Sequence, residues 1–202
     1  SLVITGTGAN ILNKVLSMSS GSISNLSGLN TILGTTTFSG SNTIDIAAAT
    51  SLLMGGNIGG SGSLWKTTSG NLILTGTNNY SGVTVINTGT LQVGNGGASG
   101  TLGTGNVTNK ATLTFNRTNN FTVANLIVGT GTINQNGPGS VTFSGNNSYS
   151  GSTIINLGTV AVTSDSALGS SILNFKGSNS GFRSGNISTR TLANNIIFGG
   201  TM

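Results

Sequence analysis

Residues Gly70–Val93 read GNLILTGTNNYSGVTVINTGTLQV, and residues Gly139–Val162 read GSVTFSGNNSYSGSTIINLGTVAV. Extended to Gly62–Val93 and Gly131–Val162, the two segments align without a gap at an offset of 69 residues. Gly62, Gly70, Gly76, Gly82 and Gly89 all fall on glycines, namely Gly131, Gly139, Gly145, Gly151 and Gly158. At this glycine content, chance agreement at every one is on the order of one in ten thousand, so the chain is an internal repeat. Asn78, Tyr80, Ser81, Thr84, Ile86 and Asn87 also return, as Asn147, Tyr149, Ser150, Thr153, Ile155 and Asn156.

Outward from this pair the similarity thins but persists. Leu102-Gly103 returns as Leu168-Gly169, Lys110 as Lys176, and Thr122–Asn125 as Thr191–Asn194. The first 59 residues read as a shortened copy, in which Leu2–Thr7 answers Leu72–Thr77 and Thr35–Phe38 answers Thr112–Phe115. The expected organisation is one domain over 1–202 with about three units, 1–59, 60–128 and 129–202.

Within each unit, apolar residues alternate with small or polar ones, the period of a strand with one buried face. Leu72 and Leu74, Leu91 and Val93, Leu113 and Phe115, Val141 and Phe143, and Val160 and Val162 each share a side. Gly, Asn-Asn and Asn-Gly steps punctuate these runs and supply the positive-φ corners. Pro138 is the sole proline, as a continuous hydrogen-bonded ladder requires. A chain that repeats an inward pattern every twenty-odd residues buries it best by stacking coils. The expected fold is all-β, a right-handed parallel β-helix of about nine coils, three of about 23 residues to each 69-residue unit. A two-sheet β-sandwich is the alternative.

Composition removes much chemistry. Charged residues make up 4% of the 202 residues, with Lys+Arg 7, Asp+Glu 2 and a net charge of +5. With no Cys and no His there is no disulfide, thiol nucleophile, imidazole base or Cys/His metal centre. The only acids, Asp45 and Asp165, are expected about five coils apart, on the order of 24 Å, whereas a glycosidase pair needs about 5–9.5 Å. Gly59–Ser63 begins like a calcium-binding nonapeptide but continues with Leu64 where the ligand Asp belongs. The expectation is a non-catalytic chain with no catalytic, cofactor or metal residues and no cofactor.

Three further features of the sequence are candidates for binding. Lys110, Arg117, Lys176, Arg183 and Arg190 form a sparse basic stripe if repeat-equivalent positions share one side. That stripe suits anionic surface glycans and is too thin for specific nucleic-acid binding. Thr90, Thr112, Thr114, Thr142 and Thr159 are candidates for a threonine face, read here as β propensity. Trp65, Tyr80 and Tyr149 are candidate sugar-stacking groups, but both tyrosines sit in the repeated Asn-x-Tyr-Ser-Gly corner, which favours a structural role.

The pattern of alternating strand, Ser/Thr-Gly, Asn-x-Tyr-Ser-Gly, Thr-containing strand and Gly-Thr-Leu-x-Val resembles the autotransporter-associated β-strand repeat. Gly70–Val93 carries it in full, and Gly139–Val162 carries it with Val160 for the leucine. The Leu-x-Lys-x-Gly-x-Gly that precedes it in the family is partly kept in Leu64–Gly70, and Gln135 replaces the lysine in Ile133–Gly139. The resemblance implies a β-helical passenger, extracellular or on the bacterial outer surface, that serves as a stalk, fibre or adhesin. No apolar run approaches the roughly 20 residues of a membrane-spanning helix, so no membrane insertion is expected. Neither end shows a cap, so the expected chain is either a slice of a longer rod or a subunit that self-associates end to end.

Overall fold

A computed structural model describes residues 1–6 and 8–199. Among these residues the regular elements are strands with no helix, and every strand pairing is parallel. All-parallel pairing between successive short strands rules out the sandwich and gives a β-solenoid of ten turns.

Each turn visits three faces. The first carries a seven-stranded sheet from Leu2–Ile4 to Ile127–Val128, and the second a ten-stranded sheet from Ile11–Leu12 to Ile196–Phe198. The third face carries three strands from Leu16–Ser19 to Ile58–Gly60, and later four strands from Phe121–Val123 to Ser180–Ser184. Alternation sets what points inward. Leu52, Leu72, Leu91, Leu113 and Ile133 occupy successive rungs of the second face, each with no solvent exposure. Met54, Leu74, Val93 and Phe115 form a parallel inner row. Burial of such side chains contributes roughly 1.5–3 kcal/mol each, and stacking repeats that contribution in every coil.

The coil is shorter than the sequence suggested. On the second face, nine rung-to-rung steps lead from Ile11 to Ile197, about 21 residues each rather than 23, which makes ten coils instead of nine. The longer figure divides the 69-residue unit into three equal coils, which would require Leu113 and Val141 to share a face. Leu113 pairs with Ile133, while Val141 lies on the third face between Phe121 and Val160.

The 69-residue unit is therefore not a whole number of coils. Leu64 returns to the same place on the first face after three coils, through Thr84 and Val107 to Ile127. Its repeat equivalent, Ile133, lies six residues further on, on the second face. The whole unit shifts with it. Ser63–Thr67 is on the first face and its counterpart Thr132–Gln135 on the second; Asn71–Leu74 is on the second and Ser140–Phe143 on the third. Each repeat is turned by one face, about a third of a turn.

This rotation explains why two sheets stop. The segment holding Asn78 and Tyr80 takes the rung above Ile58–Gly60, with Asn79 and Ser81 N–H donating to Ile58 and Gly60 carbonyls at 2.9 Å. One repeat later, the segment holding Asn147 and Tyr149 takes the rung above Ile127–Val128, with Ser148 N–H donating to the Ile127 carbonyl at 3.0 Å. The same irregular segment thus ends the early sheet of the third face and then the sheet of the first.

Candidate functional site

The repeated corner carries a polar arrangement whose groups are turned inward. Tyr80 and Tyr149 have no solvent exposure. Each phenol shares a 2.7 Å hydrogen bond with a threonine hydroxyl four residues on, Thr84 and Thr153 respectively. Burial pushes both phenols above their ordinary range, Tyr149 to about 12. The preceding asparagine joins three coils. Asn78 accepts from Ile58 N–H at 2.8 Å and donates to the Thr101 carbonyl at 2.6 Å; Asn147 does the same with Ile127 and Ala167, both at 2.7 Å. A sugar cannot reach rings placed this way, and the tyrosines act as structural corners, as their motif suggested.

Lys66 is a buried structural residue that composition does not single out. In Ser63–Thr67, alternation places Leu64 and Lys66 on the inner side, and both are fully buried. The Lys66 ammonium donates to the carbonyls of Thr67 and Thr68 at 2.7 Å and of Thr88 at 3.4 Å. Burial lowers its pKa to about 8, with Asp45 acting in the opposite direction. One unit later Gln135 is equally buried and donates to the carbonyls of Gly137 at 2.6 Å and Gly139 at 3.0 Å. A nitrogen donor caps the free corner carbonyls in both repeats, and the charge is dispensable to that task.

The two acids do not meet. Asp45 faces outward on the first face and accepts from the Thr67 hydroxyl. Asp165 lies six coils away rather than five, on the order of 29 Å, where Arg190 approaches it at 3.7 Å. Among the described residues no three potential metal ligands cluster. Leu64, at the position a calcium site would give to an Asp, points into the core.

Rotation of the repeat also dissolves the basic stripe. Lys110 follows a first-face strand and Lys176 a second-face strand; Arg117 ends a second-face strand and Arg183 lies on the third face. Arg117 is in addition buried. Its guanidinium donates to the carbonyls of Ala98 and Gly100 and to Asn119. The threonines divide likewise, Thr90, Thr112 and Thr114 on the second face and Thr142 and Thr159 on the third. Trp65 faces outward and half-buried between Thr43 and Val85.

With this geometry in place, comparison with known proteins is direct. The family model of the passenger-associated-transport-repeat matches residues 66–93 and 133–162, the two segments that begin at or near Lys66 and Gln135 and contain both tyrosine corners. Two segments of the chain therefore match the passenger-associated-transport-repeat. It is similar to a protein described as "Adhesin BmaC autotransporter" from Brucella suis biovar 1 (strain 1330), 39% identical over 82 residues. That stretch is 39% of this chain and 2% of the relative, so the chain spans a small fraction of the length of the protein it matches. No solved structure matches the chain significantly.

Proposed function

We propose that this chain, built on two passenger repeats, is a non-catalytic β-helical scaffold at the bacterial outer surface or outside the cell, a section of a stalk or adhesin. The observation that carries the reading is the inner ladder of the second face, which runs through ten rungs and stacks a fully buried apolar row from Leu52 to Ile133. Nine steps at about 4.8 Å span roughly 43 Å, so the fold turns chain length into reach. An outer surface dominated by Ser, Thr and Asn is hydrated without charge. No helix among the described residues is long and apolar enough to cross a membrane. The similarity to an autotransporter adhesin supports the same placement. Antibody against the chain should label intact, unpermeabilised cells, and external protease should remove the label. Labelling that appears only after permeabilisation would overturn the assignment.

A second reading concerns the ends. At the first coil Ile11 and Val15 are 68% and 75% exposed, and at the last Phe198 is 72% exposed. Strand edges bearing such side chains are templates for further pairing. We propose that each is covered by another coil, either from the same polypeptide or from a second copy of the chain. Concentration-dependent end-to-end rods in electron micrographs of the purified chain are expected; a monodisperse monomer at high concentration would refute pairing between copies. Rods one coil wide would separate end stacking from lateral aggregation.

A further inference from the structure

The third face has a gap in mid-rod. Phe121–Val123 pairs on one side with Ser140–Phe143, but its other edge has no strand partner. The rung beneath it is the irregular segment Thr101–Thr104, flanked by side-chain bridges to the next coil: the Asn125 amide donates to the Gly103 and Gly105 carbonyls at 2.8 and 2.6 Å, and the Arg117 guanidinium to those of Gly100 and Ala98. Between them opens a cleft of about 270 Å³. This is just below the range of about 300–1,000 Å³ typical of small-molecule sites. Leu102, Phe115, Phe121 and Val123 supply apolar walls, and exposed Thr122 stands at the rim.

Arg117 also lines this cleft, although it is only 7% exposed. A guanidinium has five N–H donors. Three are used, by Asn119 Oδ1 at 3.1 Å, Gly100 O at 2.5 Å and Ala98 O at 2.7 Å, so each terminal nitrogen retains one unused N–H. The Phe121 ring lies 4.4 Å from the guanidinium carbon. No carboxylate faces it, for the ion pair found among the described residues joins Arg190 to Asp165. A buried cation is normally paired, and a guanidinium with an N–H to spare on each terminal nitrogen is a natural partner for a carboxylate.

We infer that this cleft is a binding site for a small carboxylate with an apolar body, its head on the free Arg117 donors and its hydrocarbon against Phe115 and Phe121. The site is independent of the scaffold role, since it needs neither surface display nor a partner protein. At this volume there is room for about nine water-sized groups, the size of a short aryl or alkyl acid.

The test uses 3-phenylpropionate and the purified chain, followed by NMR of the arginine side-chain N–H and the Leu102 and Val123 methyl groups. A saturable shift of these signals is expected. The methyl ester and acetate, which lack the charge and the apolar body respectively, should each bind at least ten-fold more weakly. Thr122→Trp, a change at an exposed rim position, should close the cleft and weaken binding by at least ten-fold with the fold intact. Arg117→Met should remove binding if it folds, and Thr122→Trp decides the matter if it does not. No saturable shift at about 10 mM acid, equal binding of the ester, or undiminished binding by Thr122→Trp would overturn the inference.

Discussion

Replacing Tyr80 by Phe removes one oxygen from the core and leaves the ring in place. The oxygen's partner, the Thr84 hydroxyl 2.7 Å away, is fully buried and would lose its side-chain hydrogen bond. An unsatisfied buried hydroxyl costs about 1–3 kcal/mol. With a urea m-value of about 2 kcal/mol/M, the midpoint should fall by about 0.5–1.5 M. Tyr149→Phe should cost less, about 1 kcal/mol, because Thr153 keeps a second partner in the Ser171 hydroxyl at 3.0 Å. Adding Thr84→Val to Tyr80→Phe removes the stranded group, so the double variant should recover about 1 kcal/mol relative to additivity. Urea titrations followed by circular dichroism measure the wild type, Tyr80→Phe, Thr84→Val, their double variant and Tyr149→Phe. Additive costs within about 0.3 kcal/mol, or equal losses at Tyr80 and Tyr149, would refute the claim that these hydroxyl pairs hold the corners.

Lys66→Gln should retain stability within about 1 kcal/mol, following Gln135, whereas Lys66→Met strands the carbonyls of Thr67 and Thr68 and should cost about 2 kcal/mol or more. Because the folded pKa of Lys66, about 8, lies below the ordinary value of 10.5, the unfolded chain binds more protons between them. Wild-type stability should therefore gain on Lys66→Gln as pH rises from about 8 to 10.5; a constant difference between the two would contradict the assignment. Gly76→Ala would place a methyl 2.4 Å from the Gly56 carbonyl oxygen and should cost about 3 kcal/mol, while Gly97→Ala meets nothing within 4 Å and should change melting by less than about 0.5 kcal/mol. A Thr90→Cys/Thr112→Cys pair occupies adjacent rungs about 4.8 Å apart and should form a disulfide on oxidation. Thr114→Cys/Thr142→Cys, on the second and third faces, should stay reduced; ready oxidation of that pair would mean that Leu113 and Val141 occupy successive rungs of one face.

The corner motif was legible residue by residue. Alternation in Asn71–Leu74 and Ser140–Phe143 assigned the inner side of each strand, and the structure keeps those assignments. The same rule applied to Ser63–Thr67 would have placed Lys66 inside. Alternation in Thr112–Arg117 likewise sets Arg117 on the side of Leu113 and Phe115, but the carbonyls that hold it belong to Ala98 and Gly100, in a loop of the preceding coil, which no local pattern marks.

Sequence alone determined that the chain is a repeat, that its strands are short and amphipathic, and that glycines and asparagines turn it at fixed places. These are local properties, set by the conformational freedom of each residue and by which side of a strand it faces. Only the tertiary structure decided how many residues close a coil, and hence that 69 residues advance the chain by three coils and one further face. Closure depends on the path around a shared core and on hydrogen bonds to rungs about 20 residues away, and a corner reads the same in sequence whichever face it joins. That is why the basic stripe inferred from equivalent positions is absent, and why a strandless rung opens a cleft beside Arg117.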